Sequence, residues 1–127
     1  MYVLFIVIND AQHVKKILPR MRELGVKGAT VIDTMGAGRY EESALEGMPI
    51  IGGLMSSLNL GIVHNKTIFS VMESEKQVAQ VADAVEEILG GNMGRPGTGI
   101  MFSFPVNMVR GGMFPTNIIN KEKPDSE

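Results

Sequence analysis

A chain of 127 residues with a formal charge of -2 and an isoelectric point near 5.7 fits one domain with one real core, and that balance gives no footing for nucleic acid or an anionic membrane surface. It has no cysteine, which excludes disulfides, thiolate metal sites and cysteine catalysis. The apolar N-terminus lacks a basic leader and a small-residue cleavage site, so it is read as part of the fold and the protein as cytoplasmic.

Tyr2 to Ile8 is an unbroken apolar run rich in β-branched and aromatic residues; it predicts a strand covered on both faces. Asn9-Asp10 ends it and can cap a helix. Val14, Ile17, Leu18, Met21 and Leu24 follow helical spacing, with Pro19 expected to kink or shorten the helix and Gly25 to stop it. Ala29 to Asp33 reads as a second strand, ending at Met35-Gly36-Ala37-Gly38-Arg39.

From Tyr40 to about Ile62 there is no clean period. Glu41, Glu42 and Glu46 open this stretch as a short acidic run, and Gly47 to Val63 carries no charge. Pro49, Gly52, Gly53 and Gly61 interrupt it, so it is no membrane span. A loop of this length inside a small domain is commonly functional. Lys66 to Met72 predicts a third strand, and Ser74-Glu75-Lys76-Gln77 is a capping-box pattern. Val78, Val81, Ala82, Val85, Ile88 and Leu89 then mark a second amphipathic helix, stopped by Gly90-Gly91.

Gly94-Arg95-Pro96-Gly97-Thr98-Gly99 can be neither helix nor central strand. It feeds the apolar run Ile100–Val106, a buried strand closed by Pro105. Such a loop is either a plain connecting turn or a cradle of free N–H groups for an anion, with Arg95 and Thr98 beside it. The order β-α-β-β-α-β is the ferredoxin-like, split βαβ pattern: an α+β sandwich of a four-stranded antiparallel sheet with two helices on one face. Two helices cover one face only, so the other is expected to be buried by copies of the chain.

With both glycine loops placed, the chain resembles the P-II nitrogen-regulatory signalling family from Met1 to about Arg110. Gly28-Ala29-Thr30-Val31 sits at that family's second-strand entry, and Gly36-Ala37-Gly38-Arg39 is similar to its Gly-Phe-Gly-Arg at the base of the effector T-loop. Gly97-Thr98-Gly99-Ile100-Met101-Phe102-Ser103-Phe104-Pro105-Val106 is similar to its Gly-Asp-Gly-Lys-Ile-Phe-Val-Ser-Pro-Val, without a gap.

The resemblance implies a non-enzymatic homotrimer with AMP, ADP or ATP, or a related small anion, between subunits. It implies no required cofactor and no metal. Thr30, Gly36, Gly38, Arg39, Arg95, Gly97, Thr98, Gly99 and Arg110 become the candidate nucleotide-binding residues. The 40–63 loop would contact a partner protein, and the lack of charge from Gly47 to Val63 suits a membrane transporter. Residues 1–112 then form one domain with an effector loop at about 37–63, and 113–127 a flexible tail in which Phe114, Ile118 and Ile119 can still dock.

Several positions depart from the family pattern. Ile100 stands where the phosphate-binding lysine belongs, and Tyr40 replaces the glutamine that serves magnesium and 2-oxoglutarate. Met48 to Val63 has no tyrosine to uridylylate, and Arg110 is one residue out of register with no second arginine after it. Fewer cations favour AMP or ADP over ATP. Two readings compete: a small phosphate-handling enzyme on the same fold, for which no base or nucleophile stands near Gly94–Gly99, and a trimeric metal-binding or structural module like the related copper-tolerance family. His13 and His64 are read as surface residues rather than a metal pair. Met21, Met72 and Met101 are read as core; Met48 and Met55 lie in the uncharged loop.

Overall fold

The computed structural model describes residues 1–37 and 63–114. Gly38, Arg39, the glutamates of the acidic run, Met48, Met55, Ile118 and Ile119 lie outside the described residues. The described elements are β1 (Tyr2–Ile8), a short 3₁₀ turn (Ala11–His13), α1 (Val14–Glu23), β2 (Thr30–Gly36), β3 (Val63–Met72), α2 (Glu75–Ile88) and β4 (Ile100–Pro105). All strand pairs are antiparallel, in the order β2-β3-β1-β4, which is the ferredoxin-like arrangement with both helices on one face.

Alternation along the strands decides which side chains meet the helices. Leu4, Ile6 and Ile8 of β1 and Ile68 and Met72 of β3 point to the helix side. There they pack with Ile17 and Met21 of α1 and with Val81, Val85 and Leu89 at and just past α2. Val14, Leu18, Leu24, Val78, Ile88 and Met101 pack against this cluster. The helical stripes are the ones their spacing predicts, save that Ala84 rather than Ala82 is the buried alanine of α2, and each large, fully buried apolar side chain adds about 1.5–3 kcal/mol.

Local signals hold the elements in place. Asp10 caps the 3₁₀ turn by accepting from the Gln12 N–H at 2.9 Å. Pro19 sits inside α1 without ending it, and the helix runs on to Glu23. Gly25, at φ +86°, turns the chain after it. The Ser74 hydroxyl caps α2 by accepting from the Gln77 backbone N–H at 3.1 Å, and the Gln77 side-chain Oε1 accepts from the Glu73 N–H at 3.0 Å. The Gln77 amide also donates to the Leu24 carbonyl at 3.3 Å, joining the start of α2 to the end of α1.

Two strands are longer than their side chains suggest. β2 runs to Gly36 rather than Asp33, and β3 begins at Val63 rather than Lys66, with Gly36 opposite Val63. The added rungs carry polar residues, among them Thr34, His64 and Asn65, so hydrophobic pattern cannot find them; the backbone ladder continues regardless. Thr34 and Thr67 share a hydroxyl hydrogen bond at 2.8 Å, and Lys66 pairs with Asp33 across the same two strands.

The expectation that β1 is covered on both faces meets only half its fulfilment in a single protomer. Val3, Phe5 and Val7 face away from the helices, in register with Val71, Phe69 and Thr67 on one side and with Phe104, Phe102 and Ile100 on the other. Phe5 stacks on Phe69 and Phe102, each at 5.2 Å, and on Phe104 at 5.8 Å. Phe102 and Phe104 remain 46% exposed and Ile100 57%. No described helix is long and apolar enough to cross a membrane.

Candidate functional site

The glycine-rich loop closes over one end of the sheet. The Asn9 side-chain amide, at the exit of β1, donates to the Gly97 carbonyl at 2.7 Å. Gly97 and Gly99 have φ of +84° and +119°, values that only glycine adopts without strain. Gly99 is further constrained, because a Cβ there would stand 2.3 Å from the Val7 carbonyl oxygen. The Thr98 hydroxyl is engaged within the loop, within donating distance of the Met93 carbonyl at 3.1 Å and the Arg95 carbonyl at 3.0 Å. The Asn92 side chain accepts from the Gly94 N–H at 2.9 Å, and Glu86 of α2 accepts from the Met93 N–H at 2.9 Å. Among the described residues, the Gly97 and Thr98 N–H groups have no backbone partner.

Arg95 does not stand beside those N–H groups. Its Nη2 atom lies 3.3 Å from where a Cβ on Gly90 would be. It has folded back over the C-terminal end of α2, where the unpaired helix carbonyls attract a cation. Gly36 ends β2 at this same end of the sheet. Close by, Asn65 is opposite Thr34 in the β2–β3 register, and its buried Oδ1 has no partner among the described residues.

Thr30 lies elsewhere. It opens β2, six residues before Gly36, so about 20 Å separate them along the strand. Thr30 lines a groove of ≈ 410 Å³ together with Lys27, Gly28, Ala29, Phe69, Ser70 and Val71 on one side and Gly112, Met113 and Phe114 on the other. The Ser70 hydroxyl donates to the Gly28 carbonyl and fixes the approach to β2. The chain leaving β4 donates from the Val106 N–H to the Met1 carbonyl at 3.0 Å and then crosses to this groove. There Lys27 Nζ donates to the Met113 carbonyl at 3.1 Å, lies 4.8 Å from the centre of the Phe114 ring and stands 3.8 Å from Glu73. Arg110 is exposed, its Nε 3.5 Å from the Met108 sulfur, and does not line the groove.

The predicted site residues therefore fall into two sets within one protomer. Gly36, Gly97, Thr98 and Gly99 share one end of the sheet; Thr30 sits on the β2 edge at the middle rung, in register with Phe69, Phe5 and Phe102. Even at the shared end, β2 and β4 are opposite edges with β3 and β1 between them, about 14 Å apart. The glycine-loop end offers backbone N–H groups suited to an anion, and the β2 edge a slot with a hydroxyl and an aromatic wall suited to a flat ring. Among the described residues no group of three His, Cys, Asp or Glu side chains is placed to hold a metal. Lys27 and Phe69 escaped sequence reasoning. The only sign was the Lys27-Gly28 pair before a strand, and its partners are supplied by residues far away in sequence.

A third hollow, of ≈ 370 Å³, lies between the start of α2 and the β1–β4 edge, lined in part by Tyr2, Glu75 and Phe104. Partial burial, with the Glu75 carboxylate beside it accepting its hydrogen bond, raises the Tyr2 phenol above its ordinary value.

The family described as Nitrogen regulatory protein P-II matches residues 2–111. No curated protein matches the sequence. Among solved structures the chain is similar to GlnK of B. subtilis, with 22% identity, a TM-score of 0.58 and 83% of each chain covered. A likeness at that identity speaks for the fold, and it is the fold described above. The family match takes in both glycine loops, all four strands and the groove-lining residues up to Gly111, and the chain belongs to the nitrogen regulatory P-II protein family.

Proposed function

We propose that this P-II signalling protein binds an adenine nucleotide between the subunits of a homotrimer. The bound ligand then sets the conformation of the 40–63 loop and so its grip on a partner protein. The observation that carries this reading is that Thr30 and the Gly97–Gly99 loop lie on opposite edges of one sheet, β2 and β4, with two strands between them. A small ligand touching both sets has to sit at a junction between copies, and the open aromatic face supplies the reason for copies to associate. A nucleotide fits both halves: phosphates toward the N–H groups of the Gly97–Gly99 loop, and the base toward Thr30 and Phe69.

Ile100 offers no charge where a lysine would meet the terminal phosphate, and Arg95 is turned to α2. This favours ADP or AMP over ATP. A ligand at the root of the loop acts on it only by contacting one of its conformations better than another. A membrane transporter, met at its cytoplasmic face, is a suitable partner for the uncharged stretch from Gly47 to Val63.

Calorimetry with AMP, ADP and ATP tests the reading, alongside light scattering for the mass in solution. Binding of at least one nucleotide, tightest for ADP or AMP, by a particle three times the chain mass is expected. No heat from any of the three at millimolar concentration sinks the nucleotide assignment. Turnover of ATP or an acyl phosphate would move the protein into the enzyme class instead.

A further inference from the structure

The groove at the entrance of β2 has a wall that neither the sheet nor the helices provide. Gly112, Met113 and Phe114 form it, after a path that crosses from the β4 edge to the β2 edge. Lys27 gathers the segment through the Met113 carbonyl at 3.1 Å and the Phe114 ring at 4.8 Å, with Glu73 at 3.8 Å beside the same ammonium. The turn that delivers Phe114 is a demanding one. Gly111, Gly112 and Met113 have φ of +86°, +66° and +67°, the last without the freedom of glycine. The Phe114 ring folds back so closely that a Cβ on Gly112 would lie 3.2 Å from it.

We propose that Gly111–Phe114 is a strap, latched on Lys27, that competes with the nucleotide for the groove around Thr30. This rests on the nucleotide reading above and adds a regulator to it. The exchange is like for like. Phe114 presents a flat ring to the slot, as a purine would. The Lys27 ammonium, now set against the Phe114 ring at 4.8 Å, is a cation that can lie against a purine in its place. While the strap is closed only a fraction of molecules is competent to bind, and the measured affinity falls by that fraction.

The test uses the full chain, with ADP and ATP titrated calorimetrically into wild type, Phe114→Ala and Lys27→Met, and amide hydrogen exchange followed at residues 112–114. Phe114→Ala is expected to bind ADP about threefold tighter or more. Saturating ADP should speed exchange at the Met113 and Phe114 amides of wild type, and Lys27→Met should speed it without nucleotide. Equal or weaker ADP binding by Phe114→Ala, with exchange at Met113 and Phe114 unmoved by ADP, overturns the strap and leaves nucleotide binding standing. No heat from wild type but binding by Phe114→Ala supports the strap. No heat from either protein removes the nucleotide reading and the competition with it. If Phe114→Ala melts early, the Lys27→Met exchange result decides, and unchanged exchange there overturns the latch.

Discussion

Gly99 is the residue at which backbone geometry leaves least choice. Its φ of +119° and the 2.3 Å between an added Cβ and the Val7 carbonyl oxygen act together. Gly99→Ala must push β4 off β1 or twist the loop, and is expected to cost about 2 kcal/mol or more, given the usual cost of such strain. Urea denaturation monitored by circular dichroism measures it, and a loss under about 0.5 kcal/mol, the level of an ordinary surface change, would contradict the close approach. Thr98 shows how one side chain can carry two meanings. In the sequence it is a hydroxyl beside glycines and reads as a ligand group; in the fold that hydroxyl lies against the carbonyls of Met93 and Arg95 and holds the loop's shape. Lys27 has the opposite history. Little beyond the glycine after it marks it in the sequence, since what distinguishes it is a carbonyl and a ring 86 and 87 positions away.

At the level of elements, helices were the readable part. Each has one buried stripe, and a 3.6-residue period reports it directly: Ile17 and Met21 in α1, Val81 and Val85 in α2. Strand ends were less readable because His64, Asn65 and Thr34 join a ladder of backbone groups that no side-chain pattern announces. β4 is the strand whose side chains carry the most consequence. Its outward residues Ile100, Phe102 and Phe104 are exposed in one protomer, yet Phe102 lies nearly parallel to Phe5, at an interplanar angle of 4°. A carboxylate in the middle of this stack resists burial. Phe102→Glu is therefore expected to shift the proposed trimer to monomer in sedimentation or light scattering. Its far-UV circular dichroism should stay near wild type, because the helix-side core contains no β4 residue beyond the packing of Met101. A Phe102→Glu protein that still runs as a trimer would show that the aromatic face is not what joins the subunits.

For the whole molecule, fold class, helix faces and the position of the glycine-rich loop followed from order and spacing. That Thr30 and the glycine loop lie on opposite edges of the sheet could not follow from them. It depends on the β2-β3-β1-β4 order, which a list of strands does not contain. This division gives the assembly an unusual genetics. If every binding place takes its glycine loop from one copy and its Thr30 groove from the next, then two differently damaged chains can repair each other. A Gly99→Ala chain, given that it folds, supplies a sound groove; a Thr30→Arg chain supplies a sound loop. Neither alone would hold nucleotide. Refolded together in equal amounts and assorted at random into rings of three, they should recover about a quarter of the wild-type binding places. Stoichiometry from titration of the mixture would count them. Recovery near zero would mean that each copy completes its own pocket, whereas a quarter would make the ring, not the chain, the smallest unit that can receive the signal.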